Sequence, residues 1–163
     1  MRIETVAREA GVGKQTIYRW WPTRSALVAE AAMERSRAEV PMPDTGSLAG
    51  DVSAFLRATY RAAALPDVAP ALRVLAAEAQ DGGEAADALH TFIAARREAF
   101  GELLRRGIDR GELPDGADVD LLCDVGFGVL WYRLLMGHAD VTDELAEGVA
   151  GVIAGRWPRS SAV

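Results

Sequence analysis

The stretch that most narrowly constrains this fold is residues 3–28, IETVAREAGVGKQTIYRWWPTRSALV. Apolar side chains recur there at the spacing of one helix face, which predicts a short first helix ending at Gly11, where a residue without a Cβ closes a helix at little cost. We expect Val12 to tuck back between this helix and the next. A second helix over residues 14–20 then buries Ile17 and, on its spacing, Trp20. Two short helices joined by a tight turn are typical of a helix-turn-helix.

The second helix carries the side chains that a DNA-reading helix needs. Five polar residues point away from its buried seam: Lys14, Gln15, Thr16, Tyr18 and Arg19. Lys, Arg, Thr and Tyr can donate to phosphate oxygens, whereas Gln15 can pair with adenine in the major groove. Thr23 is a predicted N-cap for a third helix, and Arg24 beside it can contact a phosphate.

The run from Ile3 to Leu27 resembles the DNA-binding motif of the tetracycline-repressor-like (TetR) family almost position for position. The resemblance implies that Lys14, Gln15, Thr16, Tyr18 and Arg19 occupy recognition-helix positions and that Arg24 occupies a phosphate-contacting one. Gly13 departs from the family pattern because it replaces the usual Ser or Thr cap, which weakens the start of the helix. Members also carry a helix before this motif, whereas Met1 here directly precedes the second family helix. Either the true start codon lies upstream, or the chain lacks this helix, in which case we expect a truncated and loosely packed DNA-binding part.

The distribution of charge supports this interpretation. The chain has a net charge of −6, but residues 1–24 hold five basic and two acidic residues, a net charge of +3. Residues 41–163 hold 11 basic and 19 acidic residues, a net charge of −8. A basic tip on an acidic body orients the molecule toward a polyanion.

The rest of the chain predicts an all-α body with no strand. The third helix extends to about residue 39, and Pro41 and Pro43 end it within a linker over residues 40–47. We therefore divide the chain into a helix-turn-helix part with its connecting helix, residues 1–39, and a helical effector-binding and dimerisation domain, residues 48–163. Within the latter, apolar periodicity predicts helices over residues 48–65, 69–80, 84–110 and 119–136, and a last helix capped by Thr142 or Asp143.

The predicted helix over residues 119–136 is apolar around most of its circumference and must be covered on two sides. The protomer core covers one side, and a second copy of the chain can cover the other, together with the last helix. The predicted homodimer interface is formed by Leu122, Val125, Val129, Leu145, Val149 and Val152. Gly126 and Gly128 either allow close approach of the two copies or are small residues in a crowded protomer core.

The family resemblance also implies a small-molecule effector bound among the central helices. The candidate wall residues are Phe55, Tyr60, Leu75, Phe92, Arg96, Phe100, Phe127 and Trp131. Tyr60 and Arg96 are the most informative of these, since a polar group inside an apolar bundle needs a partner, which a ligand can supply.

Enzymatic constellations are absent from the sequence. His90 and His138 have no metal-ligand spacing around them, no glycine-rich phosphate loop follows a strand, and we expect no catalytic residue, metal or cofactor. Cys123 is the single cysteine and is expected to be buried. Without a long apolar run or a signal pattern, we expect a cytoplasmic protein that does not enter a membrane.

These features favour a DNA-binding transcriptional regulator, most often a repressor in this family. It would bind a palindromic double-stranded operator as a homodimer, with an effector controlling its affinity. The alternative is a dimeric small-molecule-binding or interaction module that has lost DNA binding.

Overall fold

The computed structural model describes residues 3–21, 23–40 and 42–155. Within these ranges the chain is all-α, as predicted, and contains no strand. The helices are α1 (Ile3–Glu9), α2 (Lys14–Trp20), α3 (Arg24–Glu39), α4 (Leu48–Ala64), α5 (Val68–Glu78), α6 (Gly83–Asp109), α7 (Val119–Met136) and α8 (Asp143–Ile153). Residues 156–163, the predicted end of the second domain, lie outside the described residues. No described helix is long and apolar enough to cross a membrane.

Side-chain caps define where four of these helices begin. The hydroxyl oxygens of Thr23, Ser47 and Thr142 accept hydrogen bonds from the backbone N–H groups three residues later, at 3.2, 3.2 and 3.3 Å. Asp118 caps α7 in the same way through Leu121 N, at 3.0 Å. Each cap satisfies an amide that has no partner within its helix. Gly13, by contrast, makes no side-chain cap at the start of α2.

The fifth helix ends slightly earlier than the sequence predicts. It begins at Val68 and ends at Glu78, and Ala79–Asp81 form a single 3-10 turn. Gly82 then adopts a φ of +79°, which ends the helical path. Tightening of a last turn in this way is common at helix ends.

Helices α3 to α8 pack around one main apolar core. Its centre is formed by α4 and α6, through the buried side chains of Phe55, Leu56, Phe100, Leu103 and Leu104. Helix α8 packs along α4, helix α7 lies against α6 and α8, and α3 covers α5 and α6. This arrangement leaves α7 with one face in the core and another at the surface.

Gly126 lets α7 approach its neighbours closely. The Tyr60 hydroxyl donates to the Gly126 carbonyl oxygen at 2.7 Å. A Cβ atom at Gly126 would lie 2.7 Å from Cε1 of Phe100, a ring that stacks on Phe55 with centroids 5.2 Å apart. Gly126 is therefore a small residue in a crowded protomer core. At Gly128, two residues later, a Cβ would meet nothing within 4 Å.

Asp51 is a buried carboxylate that joins α4 to the linker and to the end of α6. Its Oδ1 accepts from Thr45 N at 2.6 Å and from Thr45 Oγ1 at 2.8 Å, and its Oδ2 accepts from Arg110 at 3.2 Å and Arg106 at 3.4 Å. Burial raises the pKa of Asp51, but the hydrogen bonds from Thr45 and Arg110 and the charge of Arg106 outweigh it and hold the pKa below 3.8. The sequence analysis missed this residue because an acid near a helix start is usually solvated.

Replacement of Asp51 by Asn should destabilise the fold, because two arginines would lose their shared counter-charge. We expect a loss of about 3 kcal/mol in the free energy of unfolding at pH 7, measured by urea denaturation. Since the folded-state pKa is depressed, this contribution is present above the unfolded pKa and is lost as the pH falls through the folded pKa. The difference between wild type and Asp51→Asn should therefore shrink below about pH 4.

The matched control is Glu98→Gln, which removes an exposed ion pair with Arg105 on α6. This variant should change stability by no more than about 1 kcal/mol. Equal effects of the two substitutions would contradict the role assigned to Asp51.

Two glycines of α7 should respond oppositely to alanine. Gly126→Ala places a methyl group against the buried Phe100 ring and should cost about 1–3 kcal/mol, despite the better helix propensity of Ala. Gly128→Ala meets open space and should be neutral or stabilising by up to about 1 kcal/mol. Thermal denaturation of both variants at one protein concentration is the measurement, and similar losses for both would be inconsistent with this packing.

Candidate DNA-binding surface and ligand cavity

Helices α1 and α2 form the helix-turn-helix that the sequence predicts. Gly11 closes α1 with a φ of +67°, and Val12 N donates to the Ala7 carbonyl oxygen at 3.0 Å. Ile3, Ala7 and Ile17 are buried against one another between the two helices. The packing of this small cluster sets the angle between α1 and α2.

The prediction that Trp20 is buried is wrong, since 70 % of its surface is exposed. Trp21 is packed against the Ile17 cluster instead, and its Nε1 donates to Glu30 Oε2 at 2.7 Å. Positions i+3 and i+4 lie about 60° and 40° to either side of position i, so the seam under Ile17 falls on the Trp21 side. Val12 is also more exposed than expected, because its backbone rather than its side chain returns to α1.

The candidate DNA-contacting residues lie together at this end of the molecule. All five polar residues of α2 are exposed: Lys14, Gln15, Thr16, Tyr18 and Arg19. Lys14 Nζ lies 2.6 Å from Glu4 Oε1, in an exposed ion pair that screens little of the surface from a polyanion. Thr23 caps α3, and the buried Nε of Arg24 has no hydrogen-bond partner. The geometry thus leaves a row of donors at the surface of α2 and at the start of α3.

Helix α3 joins this surface to the body. Near its start, Leu27 packs on the Ile17 cluster, while Val28 and Ala29 are buried with Leu75 and Leu89 of the body. The Ser25 hydroxyl also bonds the Glu78 carboxylate at the end of α5. Further along, Arg35 pairs with Asp67 at 2.9 Å. One continuous helix therefore touches both the helix-turn-helix and the body.

A cavity of about 310 Å³ lies between α3, α4, α5, α6 and α7. Most of its wall is apolar. It is lined by Ala32, Arg35, Thr59, Ala62, Ala63, Val68, Leu72, Phe92, Ile93, Arg96, Arg97, Asp124, Phe127, Gly128, Leu130, Trp131 and Leu134. A volume of this size is at the lower end of the range for small-molecule sites.

Four of the eight predicted wall residues line this cavity: Phe92, Arg96, Phe127 and Trp131. The other four lie outside it. Phe55 and Phe100 stack on each other in the main core, and Leu75 is buried beside Val28 in the α3–α5 contact. Tyr60 is fully buried, but the Gly126 carbonyl oxygen satisfies its hydroxyl, and burial raises its pKa. Tyr60 therefore offers a ligand no free polar group.

The sequence analysis missed the small residues of the wall. Ala32 of α3 and Ala62 and Ala63 of α4 contribute to it, and their lack of bulk leaves the space open. A run of alanines in a helix is usually interpreted as propensity rather than as a cavity, so no local signal distinguishes them. Thr59, one turn before Ala63, also lines the cavity and is not among the predicted wall residues.

Two arginines that line the cavity, Arg96 and Arg97, differ in whether a carboxylate neutralises their charge. Arg97 pairs with Asp124 and, at 3.0 Å, with Asp120, and the hydrogen bonds that it donates to these two carboxylates raise its pKa. Arg96 instead donates to the neutral Thr59 Oγ1 at 3.0 Å, and its guanidinium carbon lies 4.7 Å from the centroid of the Phe55 ring. Burial lowers the pKa of Arg96 to about 10, so it remains a cation at neutral pH.

The predicted interface residues lie partly within the protomer. Val149 is buried in the core, and Leu122, Val125, Val129 and Leu145 are partly buried against it, as is usual for the inner edge of an amphipathic face. Val152 is also partly buried. The three most exposed large apolar side chains of α7 are not among the predicted interface residues: Leu121 at 57 %, Tyr132 at 61 % and Met136 at 63 % exposure. Their spacing of 11 and 4 residues on an all-apolar helix was the signal that could have found them.

Among residues 3–21, 23–40 and 42–155, no group of three or more His, Cys, Asp or Glu side chains could hold a metal ion. Cys123 is buried, and burial raises the pKa of its thiol.

Comparisons with known proteins agree with these features. Residues 42–153 match the family described as "Tetracyclin repressor-like, C-terminal domain". The HTH-type transcriptional regulator YdeS of Bacillus subtilis is 28 % identical over 141 residues, which cover 86 % of this chain and 71 % of YdeS. The HTH-type transcriptional regulator AqdR of Rhodococcus erythropolis is 35 % identical over 117 residues, which cover 72 % of this chain but 56 % of AqdR.

Solved structures share the whole arrangement of helices. The crystal structure of the TetR family transcription regulator SCO0332 superposes with a TM-score of 0.84 at 29 % identity, over 97 % of this chain and 87 % of that one. The regulator FadR of Bacillus subtilis, solved in complex with stearoyl-CoA, superposes with a TM-score of 0.71 at 17 % identity, over 97 % and 89 % of the two chains. The likeness to FadR concerns the fold alone. Because the family match spans the greater part of the body behind the helix-turn-helix, the chain belongs to the tetracycline-repressor-like (TetR) family of transcriptional regulators.

Proposed function

We propose that this chain is a cytoplasmic, homodimeric repressor whose affinity for a palindromic DNA operator is controlled by a small molecule bound in the cavity. The observation that carries the proposal is the double role of α3. Its first turns support the helix-turn-helix through Leu27, and its later turns line the cavity through Ala32 and Arg35. The FadR complex supports it too, since a protein of this fold was solved with a bound ligand.

The coupling follows from how a ligand would contact α3. An effector that fills the cavity better in one position of α3 than in another favours that position by its difference in affinity. A shift of α3 moves Leu27 and, with it, the Ile17 cluster beneath α2. In a dimer this alters the separation of the two α2 helices, which must match successive major grooves about 34 Å apart. In this proposal the body binds its ligand and does not catalyse a reaction.

The proposed DNA contacts divide into two kinds. Lys14, Thr16, Tyr18, Arg19, Thr23 and Arg24 are assigned to phosphates, which supply affinity without sequence information. Gln15 is assigned to a base edge, where an amide can recognise adenine. In this proposal residues 1–39 bind DNA, residues 40–47 form the linker, and residues 48–163 bind the effector and the second copy of the chain.

The proposed dimer contact uses the apolar surface of α7. We call Leu121, Val125, Tyr132 and Met136 the α7 stripe, because their spacing places them along one side of the helix. A second copy would cover this stripe with its own α7, with the half-buried Leu145 and Val152 of α8 alongside. Exposed apolar side chains in such a row are typical of an interface.

The second candidate function is a ligand-binding or interaction module that does not bind DNA. What favours it is the small size of the cluster beneath α2, where three side chains are buried and Trp20 is exposed. A helix pair with so little buried apolar surface is held weakly in one geometry. The DNA-binding experiment below separates the two candidates.

Substitutions in α2 should separate affinity from sequence preference. Gln15→Ala should reduce discrimination between an operator and random DNA by about 1–3 kcal/mol, because one base-edge contact is lost. Lys14→Ala should weaken binding to both DNAs and lower the slope of log K against log salt by about one. The measurement is a salt titration of binding to promoter DNA from the gene's own neighbourhood, beside a scrambled duplex.

Arg105→Ala, on the exposed side of α6, is the control and should leave both properties unchanged. Equal losses on the two duplexes for Gln15→Ala would contradict its assignment to a base. Absence of salt-dependent binding by a folded dimer would instead favour the ligand-binding module.

A charge placed in the α7 stripe should dissociate the dimer. Tyr132→Glu would bury a carboxylate without a partner in the proposed interface, so the variant should sediment as a monomer at concentrations where the wild type is dimeric. Ala94→Glu, at an exposed position of α6, is the matched control and should remain dimeric. A Tyr132→Glu dimer of unchanged affinity would exclude this face as the interface.

A further inference from the structure

The feature that the proposed regulator leaves unexplained is the uncompensated cation in its cavity. Arg96 projects from α6 into a wall that is otherwise largely apolar, between Phe92, Phe127 and Trp131. Its one hydrogen bond goes to Thr59 Oγ1, at 3.0 Å. Its Nε is excluded from solvent and has no partner.

The other arginines of the cavity differ from Arg96 because each faces a carboxylate. Arg97 pairs with Asp120 and Asp124, and Arg35 pairs with Asp67. Within the part of the chain that the structure describes, no carboxylate lies in ion-pair distance of Arg96. The face of the Phe55 ring, 4.7 Å from its guanidinium carbon, is a weak substitute for an anion.

Arg96 is half-buried, and a cation that is partly withdrawn from water is costly unless something pairs with it. Transfer of a guanidinium from water to an apolar site costs several kcal/mol, and a neutral hydroxyl returns only part of that. Guanidinium donors are also arranged as a planar fork that matches the two oxygens of a carboxylate.

We infer that the effector of this cavity is a small organic carboxylate whose head group pairs with Arg96 and whose apolar body lies against Phe92, Phe127 and Trp131. This inference rests on the proposed function, because it names the ligand of the same cavity. The 310 Å³ volume limits the size of the ligand. At about 30 Å³ for a water-sized group, it holds a molecule of roughly ten non-hydrogen atoms.

Isothermal titration calorimetry with matched probes tests the inference on the full chain. The carboxylates are octanoate and 3-phenylpropanoate, each compared with its primary amide, which has the same size and no charge. Acetate supplies the head group without the body. We expect each carboxylate to bind at least tenfold more tightly than its amide, and acetate to bind at least a hundredfold more weakly than octanoate.

The variants locate the charge. Arg96→Met keeps the unbranched stem of the side chain without its charged head and should lower carboxylate affinity to that of the amide, while amide affinity changes by less than about threefold. Arg105→Met, on the exposed side of the same helix, should bind all probes as the wild type does. The wild-type comparison of acid with amide stands even if Arg96→Met does not fold.

Equal affinities for acid and amide, retention of carboxylate binding by Arg96→Met, or failure of both carboxylates to bind would each overturn the inference. Promoter binding, measured in the same samples, separates it from the proposed function. A carboxylate that binds through Arg96 but leaves DNA affinity unchanged supports the ligand class and contradicts effector control. A chain that binds its promoter but shows no preference for carboxylates keeps the regulator and overturns the ligand class.

Discussion

The close approach of α7 to α4 and α6 at Gly126 is the contact on which the rest of the body depends. The Phe100 ring occupies space that any side chain at this position would fill, and the Tyr60 hydroxyl donates to the carbonyl oxygen of the same residue. With the three helices held there, the next turns of α7 bring Phe127 and Trp131 to the cavity, while α4 supplies Thr59 and the alanines opposite them. Core and cavity are therefore parts of one packing arrangement: the helices are close-packed around Gly126, whereas beside Phe127 and Trp131 they leave a space between them.

The order of the helix-turn-helix depends, in addition, on the packing of α3. The helix-turn-helix has a small apolar cluster of its own, and the neighbouring residues of α3 are buried in the body, so part of its order comes from the body. The Trp21–Glu30 hydrogen bond and the Ser25–Glu78 contact reinforce this connection at the surface. A helix-turn-helix that has little stability of its own and is held by α3 can change position when another part of α3 moves.

The helices could be predicted almost entirely from the sequence, because apolar spacing and caps such as Asp118 and Thr142 act locally. The first and last residues of α7, Val119 and Met136, are the ones predicted. The cavity could be predicted only in part, since whether an aromatic residue lines a space or fills a core depends on distant helices. Phe92 and Phe100 share one helix with similar spacing, yet one lines the cavity and the other is fully buried. Local sequence pattern also could not predict that the Tyr60 hydroxyl donates to the Gly126 carbonyl oxygen, or that an arginine from another helix pairs with Asp51.

The alanines of the cavity wall have an evolutionary consequence. Ala32, Ala62 and Ala63 bound the space from α3 and α4, whereas the cation stands on α6. A larger apolar side chain at any of these positions would reduce the space available to a ligand and would leave the residue at position 96 unchanged. Under the proposed function, duplicated genes of this architecture can therefore diverge in the size of the effector that they bind while they keep the cation on α6 and the connection through α3.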